Sequence, residues 1–169
     1  EDAFGGQPEL QAELLRDLGE IQAGLDEPAR AQQTLRHAWE LQERLSGADS
    51  AATADAFGAY ADMSYTVGDT AAAAPLLREA VARLHAAGLG ERPRTAQVEA
   101  ALAMVELVAA NNDEAERLAR HALEVDRAAF GNDSMQVATR LSALGKVLQE
   151  TARYDEALAS YREALAIIV

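Results

Sequence analysis

The sequence predicts an all-α protein: a solenoid of four helix-turn-helix units, about eight antiparallel helices in one array. Three observations lead there. Alanine, the best helix former, occurs 39 times in 169 residues, whereas proline, the worst, occurs 4 times. Small residues recur at a fixed interval of 42 residues, from Ala31 through Ala73 and Ala115 to Ala157. Between them apolar residues return every three or four positions, the spacing of one helix face.

Composition narrows the function classes. Fifteen Lys and Arg against 28 Asp and Glu give a net charge of −13, which opposes non-specific binding to nucleic acid or to an anionic membrane. No apolar run is long enough to span a bilayer, so the expectation is no direct membrane insertion. The absence of cysteine excludes a disulfide framework and a thiolate metal site. Lys146 is the only lysine, and with the alanine excess this points to a GC-rich, bacterial coding sequence. A start at Glu1, with neither a methionine nor a signal peptide, reads as a segment of something longer.

The units run approximately over 5–46, 47–88, 89–130 and 131–169. The first helix of each carries Ala12, Ala54, Ala96 or Ala138, then a large–small pair: Leu18–Gly19, Tyr60–Ala61, Leu102–Ala103 or Leu144–Gly145. The second helix carries the Ala31 column, the column Ala38, Ala80, Ala122 and Ala164, and beside it Trp39, Val81, Leu123 and Leu165. Small residues at fixed places let paired helices approach, and large neighbours fill the gaps. In the second and fourth units "GADS" (47–50) and "GNDS" (131–134) supply a glycine to end one helix in a left-handed conformation and Asp or Ser to cap the next. In the third, "GERP" places Pro93 in a first helical turn. In the fourth, Val137, Leu141, Leu144, Val147 and Leu148 precede a break at 151–153. Tyr154, Ala157, Leu158, Tyr161, Ala164 and Leu165 follow it.

A large–small pair on one helix and two alanines on the next resemble the tetratricopeptide repeat (TPR). The 42-residue period resembles its longer-helix subtype, typified by kinesin light chain. The resemblance covers essentially the whole chain and implies a right-handed superhelix that binds protein segments on its concave side, lined by the first helices. Two departures stand out. Glu99 takes the place held by Leu15, Phe57 and Leu141, and the Lys and Asn residues by which some family members clamp a terminal carboxylate are missing. The opening "GQPELQAELLRDLGEI" is similar to arrays that follow the kinase domain in bacterial serine/threonine kinases, and it implies a kinase-associated signalling context.

Nothing in the motifs predicts an enzyme. No serine lies in a nucleophile elbow or phosphate loop, and "GLGERP" lacks a phosphate site's lysine. His37 and His121, two periods apart, read as surface imidazoles, and His85 shows no acid–base partner in the sequence. The runs "NNDEAE" and "YDEA" read as carboxylates favoured at helix N-termini rather than cation sites. No catalytic residue, cofactor or metal is expected.

A recognition surface remains. First-helix columns of Glu20, Asp62, Met104 and Lys146, of Ala23, Tyr65, Leu107 and Gln149, and of Asp17, Ala59, Ala101 and Ala143 give an inner face acidic at its N-terminal end and apolar at its middle. Residues 1–46 hold ten acids against four bases, and residues 131–169 five against four. The expected peptide-binding residues are therefore Asp17, Glu20, Asp62, Tyr65, Met104, Leu107, Lys146 and Gln149, and the expected partner is a basic, amphipathic protein segment. A structural spacer or oligomerisation arm with no groove ligand is the alternative, and "ALAIIV" at 164–169 leaves an apolar end open to self-association. The compartment stays open, with the cytoplasm favoured over the periplasm.

Overall fold

The computed structural model describes residues 7–68 and 70–169; the first residues of the opening unit and Asp69 lie outside them. Among the described residues all regular structure is helical. In chain order the helices are α1 (Pro8–Gly24), α2 (Pro28–Ser46), α3 (Ala51–Thr66), α4 (Thr70–Ala86), α5 (Pro93–Val108), α6 (Asn112–Phe130), α7 (Met135–Glu150) and α8 (Tyr154–Ile168). None is long and apolar enough to cross a membrane.

The chain packs as two compact units, Glu1–Gly90 and Glu91–Val169, each of two repeats. In the first, α1 pairs with α2, α2 with α3 and α3 with α4; in the second, α5 pairs with α6, α6 with α7 and α7 with α8. Each helical hairpin is one 42-residue repeat, and the intervening contacts stack one hairpin on the next.

The periodic small residues are the packing positions. All sixteen members of the four columns are buried, from Ala12 at 3% exposure to Ala164 at 3%, with Ala31, Ala73 and Ala115 at 0%. At Gly19 an added Cβ would lie 2.6 Å from Leu35 Cγ, and at Gly145 it would lie 2.9 Å from the Tyr161 ring. Those distances are well inside van der Waals contact, so α1–α2 and α7–α8 close only on glycine. Larger residues fill the space between hairpins. In the first unit Trp39 of α2 tilts against Phe57 (centroids 4.9 Å apart) and stacks on Tyr60 (5.5 Å), both on α3. The Arg83 guanidinium of α4 lies 4.6 Å from the Phe57 ring centre, a cation–π contact.

The caps follow the sequence with one correction. Ser50 Oγ accepts from Thr53 N–H (3.1 Å) and Ser134 Oγ from Val137 N–H (3.3 Å), while Pro93 occupies the first turn of α5. Gly47 and Gly131 do take positive φ, 81° and 80°, but their ψ values of 162° and 166° place them in extended rather than left-handed helical geometry. That region is open essentially to glycine alone. Positive φ recurs at the turns inside the repeats, and Gly88 (φ 74°) takes it once at the end of α4. Asp26 (φ 60°), Gly68 (103°), Ala110 (61°) and Ala152 (59°) form a column of their own, 42 residues apart. Three of these turns close with the same bonds, as in Asn111 N–H to Glu106 O (2.8 Å), Arg153 N–H to Leu148 O (2.9 Å) and Glu27 N–H to Gln22 O (3.1 Å). These are Schellman closures, which favour glycine at the left-handed site. Pro75 lies inside α4, where it donates no backbone hydrogen bond.

Ala115→Leu should destabilise by about 1–3 kcal/mol, because it forces methylenes into a closed helix contact. Ala152→Gly should instead raise stability by a few tenths to about 1 kcal/mol, relieving a Cβ held at positive φ. Denaturant unfolding of both variants checks the column assignments. A loss at Ala152→Gly would mean that the turn carries no strain.

Candidate functional site

The first helix of each repeat positions the expected recognition residues, and burial sorts them. In the first unit Glu20 of α1 is exposed, and Asp62 and Tyr65, one turn apart on α3, are half-buried. In the second unit Met104 and Leu107 of α5 are half-buried, and Lys146 and Gln149 of α7 are exposed. Gln149 is held within its repeat, with Tyr161 O–H donating to its Oε1 at 3.4 Å. The α5 helix is buried along most of its length: Thr95, Ala96, Val98 through Ala103, Val105 and Glu106 are all covered. What it leaves accessible in its C-terminal half is apolar: Met104, Leu107 and Val108, the last 79% exposed.

Asp17 belongs elsewhere. Its column mate Ala59 is buried in a cluster with Ala31, Leu35 and Met63, between α2 and α3, and Ala101 is buried as well. On α3 this column therefore packs against the preceding hairpin, while Ala143 of α7 is half-buried. Asp17, on the first hairpin, is exposed, and its carboxylate accepts from Arg16 Nη2 at 3.2 Å.

Of the three buried carboxylates, Glu99, Glu106 and Asp126, two make bonds to a neighbouring helix that the sequence reading did not anticipate. Glu99 of α5 is 0% exposed, and its Oε2 lies 2.5 Å from Nδ1 of His121 on α6. Nε2 of the same ring lies 3.4 Å from Glu91 Oε1. His121 is thus no free surface imidazole. Burial opposes its charge, but the hydrogen bonds and charges of Glu99 and Glu91 outweigh that and raise its pKa above the ordinary histidine value. The signal was there: a carboxylate in a column otherwise held by Leu15, Phe57 and Leu141 needs a basic partner on the facing helix, and His121 is the residue so placed. The second is Asp126 of α6, 1% exposed, whose Oδ2 accepts from Arg140 Nε of α7 at 2.7 Å. On the outer side of this unit Arg153 bridges Glu116 (2.5 Å) and Glu156 (2.6 Å), and Arg127 donates to Glu163 (2.5 Å). Apart from Arg153–Glu156, both at the start of α8, these bonds link different helices, and none assembles a nucleophile with a base.

Residues 94–168 match the tetratricopeptide repeat family model. Residues 94–168 carry tetratricopeptide repeats. Such repeats mediate protein–protein interaction, and here the TPR fold runs through both units. Over 92% of the chain it superposes on BtubC (BKLC) from P. vanneervenii with a TM-score of 0.74 and 23% identity, spanning 61% of that protein. A Podosopora anserina protein of nearly identical TPR-like repeats, named for kinesin light chain, superposes over 93% of the chain and 74% of its own (TM-score 0.73, 15% identity). MamA does so over 92% and 77% (TM-score 0.59, 18% identity). At these identities the likeness is one of fold. No curated protein matches in sequence. The sequence-derived assignment of a 42-residue TPR of the kinesin-light-chain type agrees with these likenesses.

The His121 link sets a pH dependence. Its folded pKa is raised, so the stabilisation is complete below the unfolded histidine value near 6.5 and is lost as pH rises through the higher folded value. His121→Gln should cost about 3 kcal/mol in mildly acidic solution, and much less in alkaline solution. Urea unfolding across that range measures it. Equal losses at both ends would show that His121 carries no charge in the fold.

Proposed function

We propose that this chain is an interaction scaffold whose first helices bind a basic, amphipathic protein segment. The observation that carries this reading is the accessible strip of α5. A helix buried along most of its length presents Met104, Leu107 and Val108 to solvent in its C-terminal half, and apolar residues left accessible on a scaffold serve recognition more often than stability. In the first unit Tyr65 offers a further apolar ring beside Asp62, with Glu20 on the neighbouring first helix; their acidic character suits Lys- or Arg-rich ligands. In the second unit Lys146 and Gln149 give a polar boundary. The similarity of the opening segment to arrays that follow bacterial kinase domains supports a docking or regulatory role within a larger signalling protein.

Charge and apolar contact should divide the work. Exposed charges are screened beyond about 8 Å at physiological salt, so the carboxylates should govern association rate and salt dependence. Apolar anchors should carry most of the affinity. In fluorescence anisotropy against a library of basic amphipathic peptides, Tyr65→Ala with Leu107→Ala should weaken the best hits about ten-fold or more. Glu20→Ser with Asp62→Ser should weaken them less and flatten their salt dependence. Hits that bind the wild type and both double variants equally would defeat the assignment and favour a spacer.

A further inference from the structure

We propose that the groove between α2 and α3 is a binding site for a carboxylate group, held by the Arg36 guanidinium beside the Tyr60 ring. A cavity of about 330 Å³ opens there, lined by Gln32, Gln33 and Arg36 of α2 and Tyr60 of α3, at the lower end of the ~300–1,000 Å³ common among small-ligand sites. It lies wholly within the first unit. None of its residues belongs to the recognition surface proposed above, so the two readings stand or fall separately.

This groove has hydrogen-bonding capacity that the fold does not use. Arg36 donates Nε to Glu40 Oε1 at 2.9 Å, which leaves both Nη nitrogens, and a guanidinium takes a carboxylate through two parallel bonds. Both partners of that pair are exposed, 62% and 44%, and exposed pairs hold weakly, so Glu40 is no serious competitor. Gln32 donates Nε2 to Ser64 Oγ (3.2 Å), and Ser64 donates in turn to the Tyr60 carbonyl (2.9 Å). Among the described residues the Gln33 amide and the Tyr60 hydroxyl make no hydrogen bond. The Tyr60 ring itself is fixed, stacked on Trp39 at 5.5 Å and tilted against Phe57 at 6.2 Å.

The equivalent groove between α6 and α7 shows how the repeat occupies these columns for its own packing. Glu116 stands there for Gln32, Arg117 for Gln33, Arg120 for Arg36 and Leu144 for Tyr60. Arg120 reaches back along its helix to Glu116 at 2.8 Å, Arg117 pairs with Glu114 at 2.7 Å, and Leu144 is buried without a polar atom. Arg36 instead reaches forward to Glu40, because its own helix offers an amide where α6 offers an acid. The carboxylate that Glu116 supplies to Arg120 has no counterpart at Gln32, and a ligand supplies it. That carboxylate comes either from a free small molecule or from an acidic side chain of a bound protein.

Trp39 is the single tryptophan and stacks on Tyr60, so its fluorescence reports occupancy. The titration is made at physiological salt, where the net charge of −13 is largely screened. Glutarate and a Glu-bearing peptide with blocked ends are the two probes. A saturable change with glutarate identifies a free small carboxylate as sufficient; a change with the peptide alone identifies an acidic side chain. The Gln twin of the peptide should produce neither. Nuclear magnetic resonance of the Gln33 side-chain amide gives a second readout, which should move in step. Arg36→Ala should weaken binding about ten-fold or more, and Tyr60→Phe should weaken it while keeping the stack on Trp39. Gln32→Glu should abolish it by supplying the internal carboxylate, as Glu116 does. Arg162→Ala, in the same column on α8, removes the same charge and should change nothing. Absence of a saturable change in both readouts would overturn the proposal. So would a Gln twin that binds as the Glu peptide does, or an Arg36→Ala variant that binds as Arg162→Ala does.

Discussion

The close approach of paired helices through alanine and glycine is the constraint on which the rest of the structure depends. Sixteen small residues in four columns are all buried, and two of them, Gly19 and Gly145, face side chains that leave no room even for a methyl group. Alanine meets two demands at once, because it favours the helix and yields the shortest interaxial distance. The compensating bulk sits one residue away, in the Trp39 and Tyr60 columns, so the gap between hairpins is filled by large side chains crossing from one to the next. Apolar area is contributed mainly by those columns, and geometry by the alanines.

Repeats that share the same small columns raise a problem of register. Packing alone hardly distinguishes one hairpin from another 42 residues along, since every column offers the same small and large residues. Polar pairs break that degeneracy. Glu99 can be neutralised by His121 of α6 or, in the same column, by its equivalent His37, two repeats away, but not by Glu79 or Glu163. Asp126 has Arg140 on α7, whereas the residues equivalent to Arg140 are Leu14, Ala56 and Val98. Buried ion pairs add little net stability over apolar residues of the same size, but removing one partner is costly. In the second unit they therefore act on the choice between pairings more than on the depth of the native well.

The fold was legible in the sequence because its information is periodic. Columns such as Ala12, Ala54, Ala96 and Ala138 name the buried face of each helix directly, and Ser50 and Ser134 name two helix starts. Where the signal is a conformation rather than a residue type, it was lost. The left-handed column at 26, 68, 110 and 152 holds Asp, Gly, Ala and Ala, because hairpin closure over-determines the turn and overrides the preference for glycine. The candidate site was less legible still. Period identifies which residues are equivalent but not what they face, so Ala59 passed for part of an open surface when it lies in a contact between hairpins. Glu99 looked like divergence because its compensation lies 22 residues away, on another helix.

Surfaces of a repeat protein differ in what their exposure means. Leu18 and Leu165 are exposed although every internal member of their columns is at least half-covered. Their chemistry follows from column identity, and a surface made in that way is complementary to the repeat itself. Met104 and Leu107 are not explained so. Their columns hold Glu20, Asp62 and Lys146, and Ala23, Tyr65 and Gln149, so neither position demands an apolar residue for stacking. An apolar residue that packing does not require must answer to something outside the array. On the proposed reading, the accessible strip of α5 is suited to a foreign segment for that reason. A surface is complementary to whatever determined its residues.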